Sequence, residues 1–213
     1  MKKMFAMLLA VAMILSLAAC GGSSAPATTQ APAETKAPAE TQAPGETKAP
    51  AAPAEFTGKL TAPFAVTSCG QSPGATMLNV VATQAKLTSV CDNAMTADNI
   101  PEGTKTLIIT MGTSGKGMGA AGTDVNMELE RCTALANAAR AAGILVVGAH
   151  VEGMARRTDA NDQASIDGIL ALADVVLVIE ESDSDGLFTN YCNEKSLPLL
   201  KVAKALDAGS VME

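Results

Sequence analysis

The chain has 213 residues, 22 acidic against 15 basic, for a formal net charge of −7, and only 2% of it is aromatic. An acidic chain without a basic cluster argues against nucleic acid as a partner. The shortage of rings, with no tryptophan at all, argues against ligands held by stacking, such as sugars, nucleobases and quaternary amines.

The N-terminus reads as an export signal. Lys2 and Lys3 form a short positive region, and Met4 to Leu17 is an apolar core too short to span a bilayer comfortably. Leu17-Ala18-Ala19-Cys20 follows, a lipobox-like run that ends in a cysteine. Residues 1–20 are therefore expected to be a lipoprotein signal peptide, with Cys20 lipidated as the mature N-terminus. Acyl chains on Cys20 hold a protein on a membrane at about 0.8 kcal/mol per buried CH₂, without a spanning helix. The expected location is the extracytoplasmic face of the cell membrane. No partner transporter is named by the sequence.

Residues 21–58 read as a disordered linker. Its unit is Ala-Pro-x-Glu-Thr-Lys/Gln, and from Pro32 to Pro50 proline returns every six residues. Neither helix nor central strand persists against that spacing, and almost nothing there can be buried. Extended as polyproline II, the linker reaches on the order of 100 Å.

Residues 59–213 suffice for one domain with one core. A first strand is predicted over Pro63–Cys69. A helix follows over about Pro73–Lys86, with Ser72 as N-cap and Pro73 at its first position. A short strand covers Thr88–Cys91, a turn Asn99–Gly103, and a third strand Lys105–Met111. The glycine-rich stretch Gly112–Gly122 comes next and reads as a loop. A helix over Asp124–Ala142 carries the apolar stripe Val125, Leu129, Cys132, Ala136, Ala139 and ends before Gly143. The fourth strand, Ile144–Ala149, is apolar throughout, as a strand buried on both faces requires. A helix over Asp162–Ala173, a strand over Asp174–Ile179, a helix from Gly186 through Lys195 and a strand over Pro198–Val202 complete the domain. This alternation indicates an α/β fold: a single doubly wound parallel sheet of five to six strands, flavodoxin-like or Rossmann-like, with order 2-1-3-4-5 favoured.

Such folds bind ligands beyond the C-terminal ends of their strands, at the switch point between strands 1 and 3. Four predicted loops converge there: 68–72, 112–122, 150–157 and 181–186. Gly117-Met118-Gly119-Ala120-Ala121-Gly122 matches GxGxxG in form, but five residues separate it from its strand, so no dinucleotide is expected. The Walker pattern is absent around Lys116. What remains is a loop rich in N–H groups, with Ser114, Lys116 and Gly117, suited to a carboxylate or phosphate. Ser68, Gln71, Ser72, His150, Arg156 and Arg157 complete the expected binding set, and arginine suits bidentate capture of a carboxylate. Gly70-Gln71-Ser72-Pro73-Gly74 also matches GxSxG. A serine-type hydrolase using Ser72, His150 and Asp185 is therefore an alternative, although the triad order is unusual and Ser72 serves equally as a helix cap.

Cys69, Cys91, Cys132 and Cys192 lack metal-ligand spacing and have no histidine cluster beside them, so neither a metal nor a cofactor is expected. Cys132 reads as a core residue. Cys69 and Cys91 meet only if their strands are neighbours.

Thr67-Ser68-x-Gly-Gln-Ser72, the 112–124 stretch, His150-x-x-Gly-x-x-Arg-Arg157 and Asp185-Gly-Leu-Phe188 together resemble an uncharacterised family of exported bacterial domains of unknown function. The resemblance implies one α/β domain in an exported or lipid-anchored protein, and supplies no activity. The expected function is binding of a small anionic solute, with the hydrolase and a surface scaffold lacking a small ligand as alternatives.

Overall fold

The structure is a computed structural model and describes residues 56–213. The expected signal peptide, Cys20 and residues 21–55 of the linker lie outside the described residues.

Six strands form one parallel sheet: β1 (Phe64–Ser68), β2 (Ser89–Cys91), β3 (Thr106–Thr110), β4 (Leu145–His150), β5 (Val175–Ile179) and β6 (Leu199–Val202). Their order is β2-β1-β3-β4-β5-β6, the expected doubly wound arrangement with one further strand. β1, β3, β4 and β5 are buried along their whole length, whereas the edge strands β2 and β6 are partly exposed. That distribution follows from the apolar runs. Successive side chains point to opposite faces, so a strand covered on both faces is mainly apolar, and among the polar exceptions Ser68, Thr110 and His150 fall at the C-terminal strand ends.

The helices are α1 (Gly74–Gln84), α2 (Gly115–Ala121), α3 (Val125–Ala141), α4 (Ala160–Leu170) and α5 (Leu187–Lys195). Two cores result. Leu107, Ile109, Val146, Val176 and Val178 pack with Cys132, Leu135, Ile166, Ile169 and Phe188 on the face covered by α3, α4 and α5. Val66, Ile108, Val147 and Leu177 pack with Leu78, Val81, Ala205 and Ala208 on the other face, beneath α1 and a closing 3-10 turn over Ala205–Val211. The chain moves outward one way from β1 to β2 and the other way from β3 to β6. With crossovers of one hand, that reversal places α1 opposite the other helices. It also opens a crevice at the C-terminal ends of β1 and β3.

Two local expectations are corrected, and the open question of Cys69 and Cys91 is answered. The glycine-rich stretch is largely helical: α2 occupies Gly115–Ala121, Ser114 caps it, and Gly122 at φ 68° ends it. Its glycines hide a helix because each lowers helix propensity by about 1 kcal/mol relative to alanine. Tertiary contact explains Gly117, where an added Cβ would overlap the Gln71 carbonyl oxygen. Ser72 is not the cap of α1. That position falls to Pro73, which makes no side-chain capping bond. Cys69 and Cys91 do not pair, although β1 and β2 are neighbours. The register sets Val66 opposite Cys91, three residues before Cys69, a displacement of roughly 10 Å along the strand. All four cysteines of the domain are free.

Candidate functional site at the C-terminal strand ends

The loops after β1 and β3 are zipped together. Gln71 and Thr113 form an isolated antiparallel bridge, and Ser114 N donates to the Gly70 carbonyl at 2.8 Å. Gly70 (φ 121°) must be glycine, because a Cβ there would stand 2.9 Å from the Gly112 carbonyl oxygen. Within the first loop, Ser72 N donates to Ser68 Oγ at 3.0 Å, and the two serine hydroxyls lie 3.4 Å apart. Both serines are buried.

Several backbone donors of these loops are occupied by the protein's own side chains. Gly74 N, at the start of α1, donates to Glu152 Oε1 at 2.8 Å. Gly70 N donates to Glu128 Oε2 at 3.1 Å, and Gln71 Nε2 donates to Glu128 Oε1 at 3.0 Å. Thr113 N donates to Asp162 Oδ1 at 2.8 Å, and Gly112 N to Ser165 Oγ at 3.1 Å. Gly117 N donates to the capping Ser114 Oγ at 3.1 Å. Negative charge is indeed favoured at helix starts and N–H-rich turns, and here buried carboxylates supply it. Burial pushes Asp162 upward in pKa, but bonds from Thr158 and Thr113 outweigh that and hold it below the usual carboxylate range.

Arginines are positioned by these same carboxylates. Arg131 Nη2 donates to Glu128 Oε2 at 2.7 Å and to the Ser68 carbonyl at 2.5 Å. Arg156 lies between the loops after β3 and β4. Its Nε donates to Glu152 Oε2 at 2.9 Å and its Nη1 to the Thr113 carbonyl at 2.9 Å. Its stem rests on Gly112 (φ 100°), where a Cβ would come within 2.7 Å of Arg156 Cβ. Glu152 therefore joins Arg156 to the start of α1 through a single carboxylate.

Arg157 turns to a different neighbourhood. It forms a bidentate pair with Asp185 at 2.8 and 2.6 Å, donates to the Ser182 carbonyl at 2.8 Å, and lies 5.7 Å from the centroid of the Phe188 ring. The Arg157 hydrogen bond holds the Asp185 carboxyl at about 2. Asp185 Oδ1 also accepts Leu187 N, but Asp183 does more of the capping of α5, accepting Phe188 N at 2.8 Å and Thr189 N at 3.1 Å.

His150 is wholly buried, with Nδ1 2.7 Å from Ser182 Oγ and Nε2 3.2 Å from the Arg156 carbonyl. Burial pushes its pKa down. No hydrogen bond joins it to Ser72, whose hydroxyl faces Ser68, and Asp185 is engaged by Arg157. No hydrogen bond joins any two residues of the alternative triad directly: Ser72 is bonded to Ser68, His150 to Ser182 and Asp185 to Arg157.

Of the expected binding set, the structure brings Ser68, Gln71, Ser72, Ser114 and Gly117 into one braced rim, with Arg156 beside it. His150 lies beneath that rim and Arg157 is engaged elsewhere. Lys116 stands exposed in the first turn of α2 and forms no salt bridge among the described residues. The bracing carboxylates Glu128, Glu152 and Asp162 were not singled out from sequence. Asp162 and Glu128 lie within helices, and only their helix faces, turned toward the loops, distinguish them from ordinary surface acids. A cleft of about 480 Å³ opens beside the rim on the α1 side, lined by Val151, Glu152, Ile179, Glu181 and Lys204 among others. Among the described residues, no cluster of His, Cys, Asp and Glu is arranged to hold a metal.

The model of a family described as a domain of unknown function (DUF6305) matches residues 61–213, and the chain belongs to that family. Searches of curated proteins and of solved structures find no match.

Proposed function

We propose that this DUF6305 domain is displayed from the extracytoplasmic face of a membrane by lipidated Cys20, and that it binds a small anionic solute at the C-terminal rim of its sheet. The lipobox-like sequence supports the location. One observation carries the binding reading. Arg156 is fixed by two hydrogen bonds through Nε and Nη1, while its Nη2 makes none among the described residues. A guanidinium held in place with one edge open is preorganised for a carboxylate or phosphate oxygen. Lys116, one helix turn from the same crevice, adds positive charge without a competing partner. The grip therefore comes from side-chain cations at the rim, because the amides of Gly70, Gly74 and Thr113 are already bonded to Glu128, Glu152 and Asp162.

The cleft lined by Glu181 and Lys204 favours a second reading, a solute bearing both an amino and a carboxylate group. Isothermal titration and thermal shift with phosphate, succinate, citrate and glycine separate the two. Binding of phosphate, succinate or citrate that falls at least tenfold in Arg156→Ala and again in Lys116→Ala supports the anion site. Glycine binding that falls in Lys204→Ala and not in Arg156→Ala supports the second. No binding by any of the four overturns both and leaves the scaffold reading.

A further inference from the structure

The buried thiols of Cys69 and Cys132 are the one reactive pair that the rim does not use. Cys69 ends the β1 segment, and Cys132 lies on the inner face of α3. Four contacts lash the 67–70 segment to one turn of α3. Arg131 donates to the Ser68 carbonyl at 2.5 Å and to Thr67 Oγ1 at 3.2 Å. Glu128 accepts Gly70 N at 3.1 Å, and Cys132 Sγ lies 4.0 Å from the Ser68 carbonyl. Cys69 follows Ser68 directly, so the Cys132 thiol lies against the backbone beside it inside this lashing. Both are fully buried in the same apolar cluster, with Ala65, Met95 and Leu135. Cys91 is offset by the strand register, and Cys192 belongs to α5.

We propose that Cys69 and Cys132 become joined by a disulfide when the protein folds in an oxidising compartment, stapling the end of β1 to α3 under the candidate rim. The two segments that carry the thiols are already neighbours, held by the Arg131 and Glu128 bonds. The chemistry is thiol–disulfide exchange with a disulfide oxidant, a small molecule such as oxidised glutathione or a protein of the same class. The Cys69 thiolate attacks one oxidant sulfur, the oxidant S–S bond breaks, and one thiolate leaves. The Cys132 thiolate then attacks Cys69 Sγ and the second oxidant thiolate leaves. Two thiols are oxidised, the oxidant disulfide is reduced to two thiols, and the two protons lost by the cysteines are taken up by the departing thiolates. Because both cysteines are inaccessible in the finished fold, exchange takes place in the folding chain before the cluster closes.

The inference rests on the extracytoplasmic location proposed above and is independent of the solute reading. The test is refolding of the full chain in a glutathione redox buffer, followed by alkylation under denaturing conditions and peptide mapping without reduction. The expected result is a peptide pair joined through Cys69 and Cys132, lighter by two hydrogens, and a higher Tm than the reduced protein. The variant carrying Cys91→Ser and Cys192→Ser should form the same link. Recovery of both thiols alkylated, or linkage of either to another cysteine, overturns the proposal.

Discussion

Glu152 accepts the Gly74 amide at 2.8 Å and the Arg156 guanidinium at 2.9 Å, one oxygen for each. A residue beyond the end of β4 thereby closes the N-terminus of α1 on the opposite side of the switch point. The side chain is mostly buried, with 8% exposure, so this contact is screened little by solvent. Glu152→Ala removes both bonds and leaves a buried amide without its acceptor. Urea denaturation should show a loss of about 1–3 kcal/mol. Glu152→Gln, which keeps an acceptor for Gly74, should recover part of it. Equal losses in the two variants would assign the effect to charge alone.

Asp162 should make the β3 loop sensitive to acid. Its carboxylate accepts Thr113 N and Oγ1 at 2.8 and 2.7 Å, and Thr158 N at 2.9 Å. Its folded pKa lies below the usual value. The sign follows from linkage. The stabilisation is complete above the unfolded value of about 4 and disappears as pH falls through the lower folded value. Asp162→Asn should be less stable than the parent at pH 7, and the difference should shrink below about pH 4. A difference unchanged from pH 7 to pH 3 would contradict this account.

His150 acts in a higher window. Burial lowers its folded pKa, so the folded protein binds fewer protons than the unfolded chain below about pH 6.5. Its contribution is present above that value and declines as pH falls toward the folded pKa. The imidazole should titrate by NMR with a midpoint below 6.5. A midpoint above it would place the ring in contact with solvent or with an unpaired carboxylate.

Two glycines of α2 should respond to alanine in opposite directions. Gly119 has no heavy atom within 4 Å of an added Cβ, so Gly119→Ala should stabilise by up to about 1 kcal/mol through helix propensity. Gly117 lies against the Gln71 carbonyl, so Gly117→Ala should destabilise despite the same propensity gain. Thermal denaturation of the two variants side by side reads the sign directly.

The sheet was legible because its information is local. Val175 to Ile179 and Leu145 to Ala149 are apolar at successive positions, and turns and helices separate them at regular intervals. The four rim loops were legible for the same reason, since the fold places every strand end on one side. The closure of the rim was not. Gly74 and Glu152 are 78 residues apart, Gly70 and Glu128 58 apart, and Thr113 and Asp162 49 apart. No local pattern announces that a helix-borne acid reaches back to a particular amide. The sequence therefore suggested donors waiting for a ligand, where the fold had already supplied the acceptors. α2 was hidden for a second reason, since Gly117 is required by the approach of Gln71 and not by a loop.

Leu60 and Met212 form a parallel bridge, reinforced by hydrogen bonds from Leu60 N to Val211, Ala62 N to Glu213 and Glu213 N to the Leu60 carbonyl. The chain thus enters the domain beside its last residues, at the end of the sheet where β1 begins, whereas Arg156 and the loops around it occupy the end where the strands finish. Tension drawn along the leading segment would load this small clasp first and leave the opposite rim undisturbed. Anything that holds the domain by that segment presents the rim outward, as a hand grips a cup by its base.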